Sequence, residues 1–250
     1  MLGAFPSAVG VVVTVVLAVG AAVARALTPA AAAVAAVFGM TIVVLAGFGF
    51  LFLLVVFVAV SSLATRYRFD EKRRRHVQEG RAGERGVSNV LAHIVLPTAI
   101  ALGIGAGRLP EDLGAVLFAA ALAFASADTL ASELGVLTGR AVAILTLRPV
   151  EPGTNGGVST VGEMFAIAGA VGTALVGVGL FGAFSEGVGR PWVFLLAVGV
   201  AGFVACQVDS VLGELLENRG WLTKGTTNFL GMLSALAVAG LVVLAAGSGV

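Results

Sequence analysis

Few side chains in this sequence could do chemistry, and most of them fall in three places. The first is Ser126-Ala127-Asp128-Thr129-Leu130-Ala131-Ser132-Glu133-Leu134-Gly135. At 100° per residue, Asp128, Thr129, Ser132 and Glu133 cover roughly 140° of one helix face. An acidic side chain at membrane depth costs on the order of 2.5–3.5 kcal/mol on insertion scales, so this face is expected to line a cavity or hold a cation. The plainer reading is a pair of helix-end charges in the headgroup zone, although carboxylates at a helix C-terminus oppose the macrodipole. The second place is Gln207-Val208-Asp209-Ser210-Val211-Leu212-Gly213-Glu214, where Asp, a hydroxyl and Glu return with the same spacing 81 residues later. Each run leads into a loop with Gly-Thr and Asn and then a helix. That pattern predicts a parallel duplication of two Asp-containing helix-loop-helix units.

The third place is the first of those loops, Glu151-Pro152-Gly153-Thr154-Asn155-Gly156-Gly157-Val158-Ser159-Thr160. Glycines let successive backbone N–H groups curl around an anion, and a helix start adds partial positive charge. Gly153, Thr154, Asn155, Gly156, Gly157 and Ser159 are therefore expected to cradle phosphate. The alternative is a turn closed by a Ser or Thr N-cap. The Gly-x4-Gly-Lys-Ser/Thr spacing of a P-loop is absent.

Arginines supply the opposite charge. Eight of the fifteen Lys and Arg residues lie between Arg66 and Arg85. Lys72 to Arg75 read as contacts to anionic lipid. In Gly80-Arg81-Ala82-Gly83-Glu84-Arg85, the planar forks of Arg81 and Arg85 suit phosphate oxygens bidentately. His93 and Cys206 read as packed interior residues.

The elements that must position these residues are membrane helices. The chain has 250 residues, 58% of them hydrophobic, 12% charged, and a mean hydropathy of +1.05. So few charges cannot cover a water-facing surface, and lipid is the expected solvent for one all-α transmembrane domain, residues 1–250. One cysteine and two histidines exclude a disulfide framework and make a Cys- or His-based metal centre improbable. Eight spans are predicted: 5–27, 30–45, 48–65, 88–106, 112–131, 160–183, 192–212 and 228–248. The first has no basic n-region or small-residue cleavage site and is expected to be retained. Only Gly47 and Gly49 argue for a turn between the second and third.

Orientation follows from the cations. With loops 66–87, 132–159 and 213–227 inside, Arg25 lies inside too, and only Arg108 and Arg190 fall outside, 13 of 15 against 2. A multi-pass protein of the cell membrane, with both termini outside and its working face in the cytoplasm, is expected. Nothing in the sequence suggests a nucleic-acid partner.

At these motifs the chain resembles the DUF92 integral membrane proteins, the family of eukaryotic transmembrane protein 19 and the plant phytyl-phosphate kinase. The likeness rests on Arg85-x3-Asn89-Val90-Leu91-Ala92, on Ala127-Asp128-Thr129-x2-Ser132-Glu133-Leu134-Gly135 and on Pro152 to Ser159. Asp209-Ser210 with Gly213, and Asn228, fit the C-terminal part. The resemblance implies a kinase that converts an isoprenyl monophosphate, of phytyl or geranylgeranyl type, to the diphosphate. The donor is a nucleoside triphosphate, and a distant likeness to dolichol kinases and CDP-diacylglycerol synthase favours CTP. The chain departs from the family at Asn89, where Gln is usual, at His93, where Asn is usual, and at Glu214 and Lys224-Gly225.

The residues agree with phosphoryl transfer, which needs positioning and charge neutralisation more than covalent groups. Asp128, Glu133 and Asp209 are the expected Mg²⁺ ligands, since that ion takes one or two carboxylates plus phosphate oxygens. With Arg85 they form the expected catalytic set. Arg81, Asn89, Thr129, Ser132, Ser210 and Asn228 join the loop in phosphate binding. A prenyl phosphate is its own anionic nucleophile, so no strong base is needed. Two other classes compete: a CTP-dependent lipid cytidylyltransferase, and a lipid or solute transporter.

Overall fold

The computed structural model describes residues 4–78, 80, 83–186 and 188–247. Arg81 lies outside the described residues. Apolar helices dominate: α1 (Ala4–Val23), α2 (Pro29–Leu45), α3 (Phe48–Arg66), α5 (Val87–Gly105), α6 (Glu111–Gly135), α7 (Thr160–Phe184), α8 (Pro191–Leu212) and α9 (Lys224–Ala245), with a short charged helix α4 (Phe69–Arg74) between α3 and α5. Among the described residues six helices are long and apolar enough to cross a membrane, and two shorter apolar ones, Ala8–Val23 and Pro29–Leu45, precede them. The eight expected spans thus recur as six full-length helices and two shorter ones.

Spans two and three are separate. Thr28 caps α2 by accepting from the Ala31 N–H at 3.2 Å, and Pro29 opens it. Gly47, at φ +113°, turns the chain into α3 in a conformation that side chains rarely adopt.

Helix α6 is the centre. Its residues Ala115 to Val116 and Phe118 to Ala125 are all fully buried. Three glycines let neighbouring helices lie flush on it. A Cβ at Gly169 of α7 would stand 2.9 Å from the Ser126–Ala127 backbone, one at Gly202 of α8 2.7 Å from Ala123, and one at Gly231 of α9 2.5 Å from Phe124. Small residues at such crossings let backbones approach, as membrane helix packing requires.

The all-α fold class holds, and within the expected loop 132–159 a small sheet is added. Strands β1 (Ala141–Ala143), β2 (Pro149–Val150) and β3 (Gly157–Val158) form an antiparallel sheet in the order β2-β1-β3, with Val142 facing Pro149 on one side and Val158 on the other. Strands of two or three residues leave no alternation to detect.

All three polar loops gather at one end of the bundle. Arg75 Nη1 donates to the Val136 carbonyl at 3.2 Å, Leu145 N–H to Glu214 Oε2 at 2.8 Å, and Asn218 Nδ2 to the Asn155 carbonyl at 3.0 Å. The turn carrying Arg25 joins them, because Arg85 N–H donates to Ala26 O and Thr28 N–H to Arg85 O, each at 3.0 Å.

The far end holds a carboxylate. Glu186 Oε2 accepts from the Gly49 N–H at 2.7 Å at the open start of α3. Burial raises its pKa to about 7 against these donated hydrogen bonds, and Glu111 nearby adds to the rise. The folded state therefore holds this proton more tightly than the unfolded chain does. The sign follows: the group's contribution to stability is full below its ordinary pKa of 4.5 and is lost as pH rises toward 7. Glu186→Gln should flatten the thermal midpoint in detergent across that window. An unchanged slope would mean that the carboxyl is not buried there.

Candidate functional site

Helix α6 stays helical to Gly135 and α8 continues into a π-helical turn, Gly213–Glu217. Between these two helix ends, the starts of α7 and α9 and the 152–159 loop lies a cavity of about 130 Å³. It is lined by Asp128 and Ser132 from α6, Asp209 and Ser210 from α8, Asn228 from α9, and Gly153, Thr154, Asn155, Gly156, Gly157 and Ser159 from the loop. The two predicted helix-loop-helix units therefore open onto one space.

Three lining residues escaped the sequence reading: Glu163 in the first turn of α7, Glu217 in the π-turn and Lys224 opening α9. Glu163 accepts from Gln207 Nε2 at 2.9 Å. Asp209 Oδ1 is buried with no hydrogen-bond partner among the described residues. The lining thus presents four carboxylates, of Asp128, Glu163, Asp209 and Glu217, against the one ammonium of Lys224. Such a surface repels a bare triphosphate and suits one that arrives with a cation. The partnerless Asp209 oxygen beside Asp128 fits an ion that takes two carboxylates and completes its shell with phosphate oxygens and water.

Glu133 does not belong to that set. Its Oε2 is 2.7 Å from Lys72 Nζ and its Oε1 accepts from Thr65 Oγ1 at 2.9 Å. On α6 it lies about 140° around the helix from Asp128, toward α3 and α4. Among the described residues no three acidic, His or Cys side chains converge to hold a metal; of the three expected carboxylates only Asp128 and Asp209 share the cavity. Lys72 is corrected: expected at the lipid surface, it is fully buried. Arg85 and Asn89 also stand outside the lining. The guanidinium donates to Asn89 Oδ1 at 3.0 Å and to Thr65 Oγ1 at 3.4 Å, behind the cavity wall. Thr129 is buried and does not line the cavity. His93 is packed as expected, its Nδ1 donating to the Asn89 carbonyl at 2.8 Å.

The loop's hydroxyls are used internally. Ser159 caps α7, its Oγ accepting from the Gly162 N–H at 3.1 Å, and Thr154 Oγ1 donates to the Glu151 carbonyl at 2.7 Å. Ser132 Oγ donates to the Asp128 carbonyl at 2.8 Å. The Asn155 and Gly156 N–H groups, by contrast, find no acceptor among the described residues. Backbone amides are thus what the loop offers an anion.

Gly156 has a structural cause that the sequence reading did not see. It sits at φ +75°, and a Cβ there would stand 2.6 Å from the Glu214 N and 2.7 Å from the Ser210 carbonyl. A Cβ at Gly213 would stand 2.9 Å from the Gly156 N. The two glycines seat the loop on the end of α8. Gly156→Val should therefore lower the thermal midpoint in detergent. An unchanged midpoint would mean that the loop is not seated on the end of α8 there.

The description "Integral membrane protein DUF92" matches residues 12–247. The chain belongs to this family. It is 34% identical to an uncharacterized membrane protein of Synechocystis over 94% of this chain and 92% of that one. It is 31% identical to Protein PGR of Arabidopsis thaliana over 73% and 69%, and 28% identical to an uncharacterized membrane protein of Methanocaldococcus jannaschii over 78% and 76%. No solved structure matches. The protein is an integral membrane protein of several spans, as the DUF92 resemblance implied.

Proposed function

We propose that this DUF92 protein is a membrane phosphotransferase that converts an isoprenyl monophosphate, phytyl or geranylgeranyl in type, to the diphosphate with a nucleoside triphosphate, CTP being the preferred donor. One observation carries the reading: Asp128 and Asp209, from separate helix-loop-helix units, line the same acidic cavity as the Gly-rich loop, at the bundle end where the polar loops meet. The excess of Lys and Arg at that end supports a cytoplasmic face in a cell membrane.

Asp128 and Asp209 would hold Mg²⁺, which when bound neutralises phosphate charge. The Asn155 and Gly156 amides and the Lys224 ammonium take the donor's phosphates. An oxygen of the lipid monophosphate attacks the γ-phosphorus, the bond to the β,γ-bridging oxygen breaks, and the nucleoside diphosphate leaves. No base is drawn into the step, because the attacking oxygen already carries negative charge. A transporter is less well supported, since such sites lie near the bilayer midplane and this cavity lies at helix ends.

Purified protein in micelles, given prenyl monophosphates and each of the four nucleoside triphosphates, tests the reading. Prenyl diphosphate should form with Mg²⁺, fastest with CTP. Absence of diphosphate with every donor would refute it.

A further inference from the structure

A buried polar line runs behind the cavity. Lys72 Nζ, fully buried, has three acceptors: Glu133 Oε2 at 2.7 Å, the Ala64 carbonyl at 2.7 Å and the Thr65 carbonyl at 3.2 Å. All three ammonium hydrogens are thus used, two of them on carbonyls that the last turn of α3 leaves open. The one Thr65 hydroxyl hydrogen lies between Glu133 Oε1 at 2.9 Å and the Ser61 carbonyl at 3.0 Å, and Arg85 Nη2 donates to the same oxygen at 3.4 Å. Arg85 Nη1 holds Asn89 Oδ1, the Asn89 carbonyl accepts from His93, and Asn228 Nδ2 lies 3.5 Å from His93 Nε2. Asn228 is a cavity residue.

A buried ion pair is weak evidence for stability, because desolvation offsets the attraction. Apolar side chains would join α3, α4 and α6 as well. What apolar contact cannot do is hold a guanidinium at a fixed place, and Arg85 is joined through Asn89 and His93 to Asn228, which lines the cavity. We infer that Lys72 and Glu133 are positioning residues: the pair holds Thr65, Thr65 and Asn89 hold the Arg85 guanidinium, and Asn89 and His93 extend that order to Asn228 on the cavity wall. Neither residue lines the cavity. The kinetic part of this inference rests on the phosphotransferase reading, and the spectroscopic part does not.

The full chain in detergent is compared as wild type, Glu133→Gln, Lys72→Met and the double variant Lys72→Met/Glu133→Leu. Each single variant leaves one buried charge alone, so its thermal midpoint should fall. The double variant leaves none and should regain the midpoint, which separates folding from positioning. Its turnover should still be lower by about tenfold or more, mainly in kcat, as expected for a misplaced group near the reacting phosphates. Mn²⁺ titration followed by electron paramagnetic resonance should give affinities within about twofold of wild type, because Glu133 is not a ligand. In ¹⁵N-arginine spectra the Arg85 resonance, assigned by its loss in Arg85→Lys, should be distinct in wild type and merge with exposed arginines in the double variant. Full turnover with an unmoved Arg85 resonance in the double variant would make the pair structural only. Lost Mn²⁺ binding in Glu133→Gln would return Glu133 to the metal. A wild type without phosphate transfer would sink the phosphotransferase reading, while the arginine spectra would still decide the positioning.

Discussion

Asp128→Asn should lower phosphate transfer by about 10³-fold while leaving the thermal midpoint nearly unchanged. The carboxylate lines the cavity from the last two turns of α6 and is itself only half-buried, so an amide of the same shape keeps the packing. What is lost is one of the two carboxylates, of Asp128 and Asp209, that line the same cavity. Removing a single preorganised charge contact costs on the order of 10²–10³ in rate, and a shared metal ligand costs at least that much. Asp209→Asn should behave alike, with the added relief of a buried oxygen that has no partner among the described residues. Single-turnover rates and Mn²⁺ affinity, measured on the same preparations, check both. Rates within tenfold of wild type would remove these carboxylates from the chemistry.

The second large effect concerns folding. Gly202→Val should abolish recovery of folded protein, because the first added carbon would lie 2.7 Å from Ala123 Cβ, 2.9 Å from the Ala123 backbone and 3.0 Å from Ala170 Cβ. Backbone on one side and a neighbouring helix on another leave no flexible group to yield. Overpacking costs about 1–3 kcal/mol where side chains can adjust, and more is expected here. Gly179, on α7 with open space around it, is the control: Gly179→Val should leave the midpoint within a few degrees. Size-exclusion profiles and thermal midpoints distinguish the two. Equal behaviour would mean that α8 does not pack on α6 as described.

Much of this was legible in the sequence for a physical reason: lipid imposes long apolar runs, and runs are countable. The division between α2 and α3 was legible from Gly47, because the turn there takes φ to +113°, which side chains rarely adopt. The pairing of Asp128 with Asp209 was legible from identical spacing in two units. Glu133 was misread because periodicity places it on the polar arc with Asp128, yet nothing local shows that Lys72, 61 residues earlier, folds back over it. Lys72 was misread for the converse reason. A basic run beside a membrane helix reads as surface, and only tertiary structure turns one of its members inward. Glu163 and Glu217 were passed over because they stand outside the repeated Asp-to-Glu spacing, and Lys224 was read only as a departure from the family pattern. The signal that could have found them is position, since all three flank the helix ends that carry Asp128, Asp209 and Asn228. The small sheet was illegible because its strands are too short to show a period.

The most direct test of the central claim is the fate of each phosphate of CTP. The protein is incubated in micelles with Mg²⁺, a prenyl monophosphate and CTP labelled separately at the α- and γ-phosphorus. The phosphotransferase account predicts γ-label in the prenyl diphosphate, α-label in CDP, and one CDP for each lipid product. Label from the α-phosphorus in the lipid, with pyrophosphate released, would contradict it and make the protein a cytidylyltransferase.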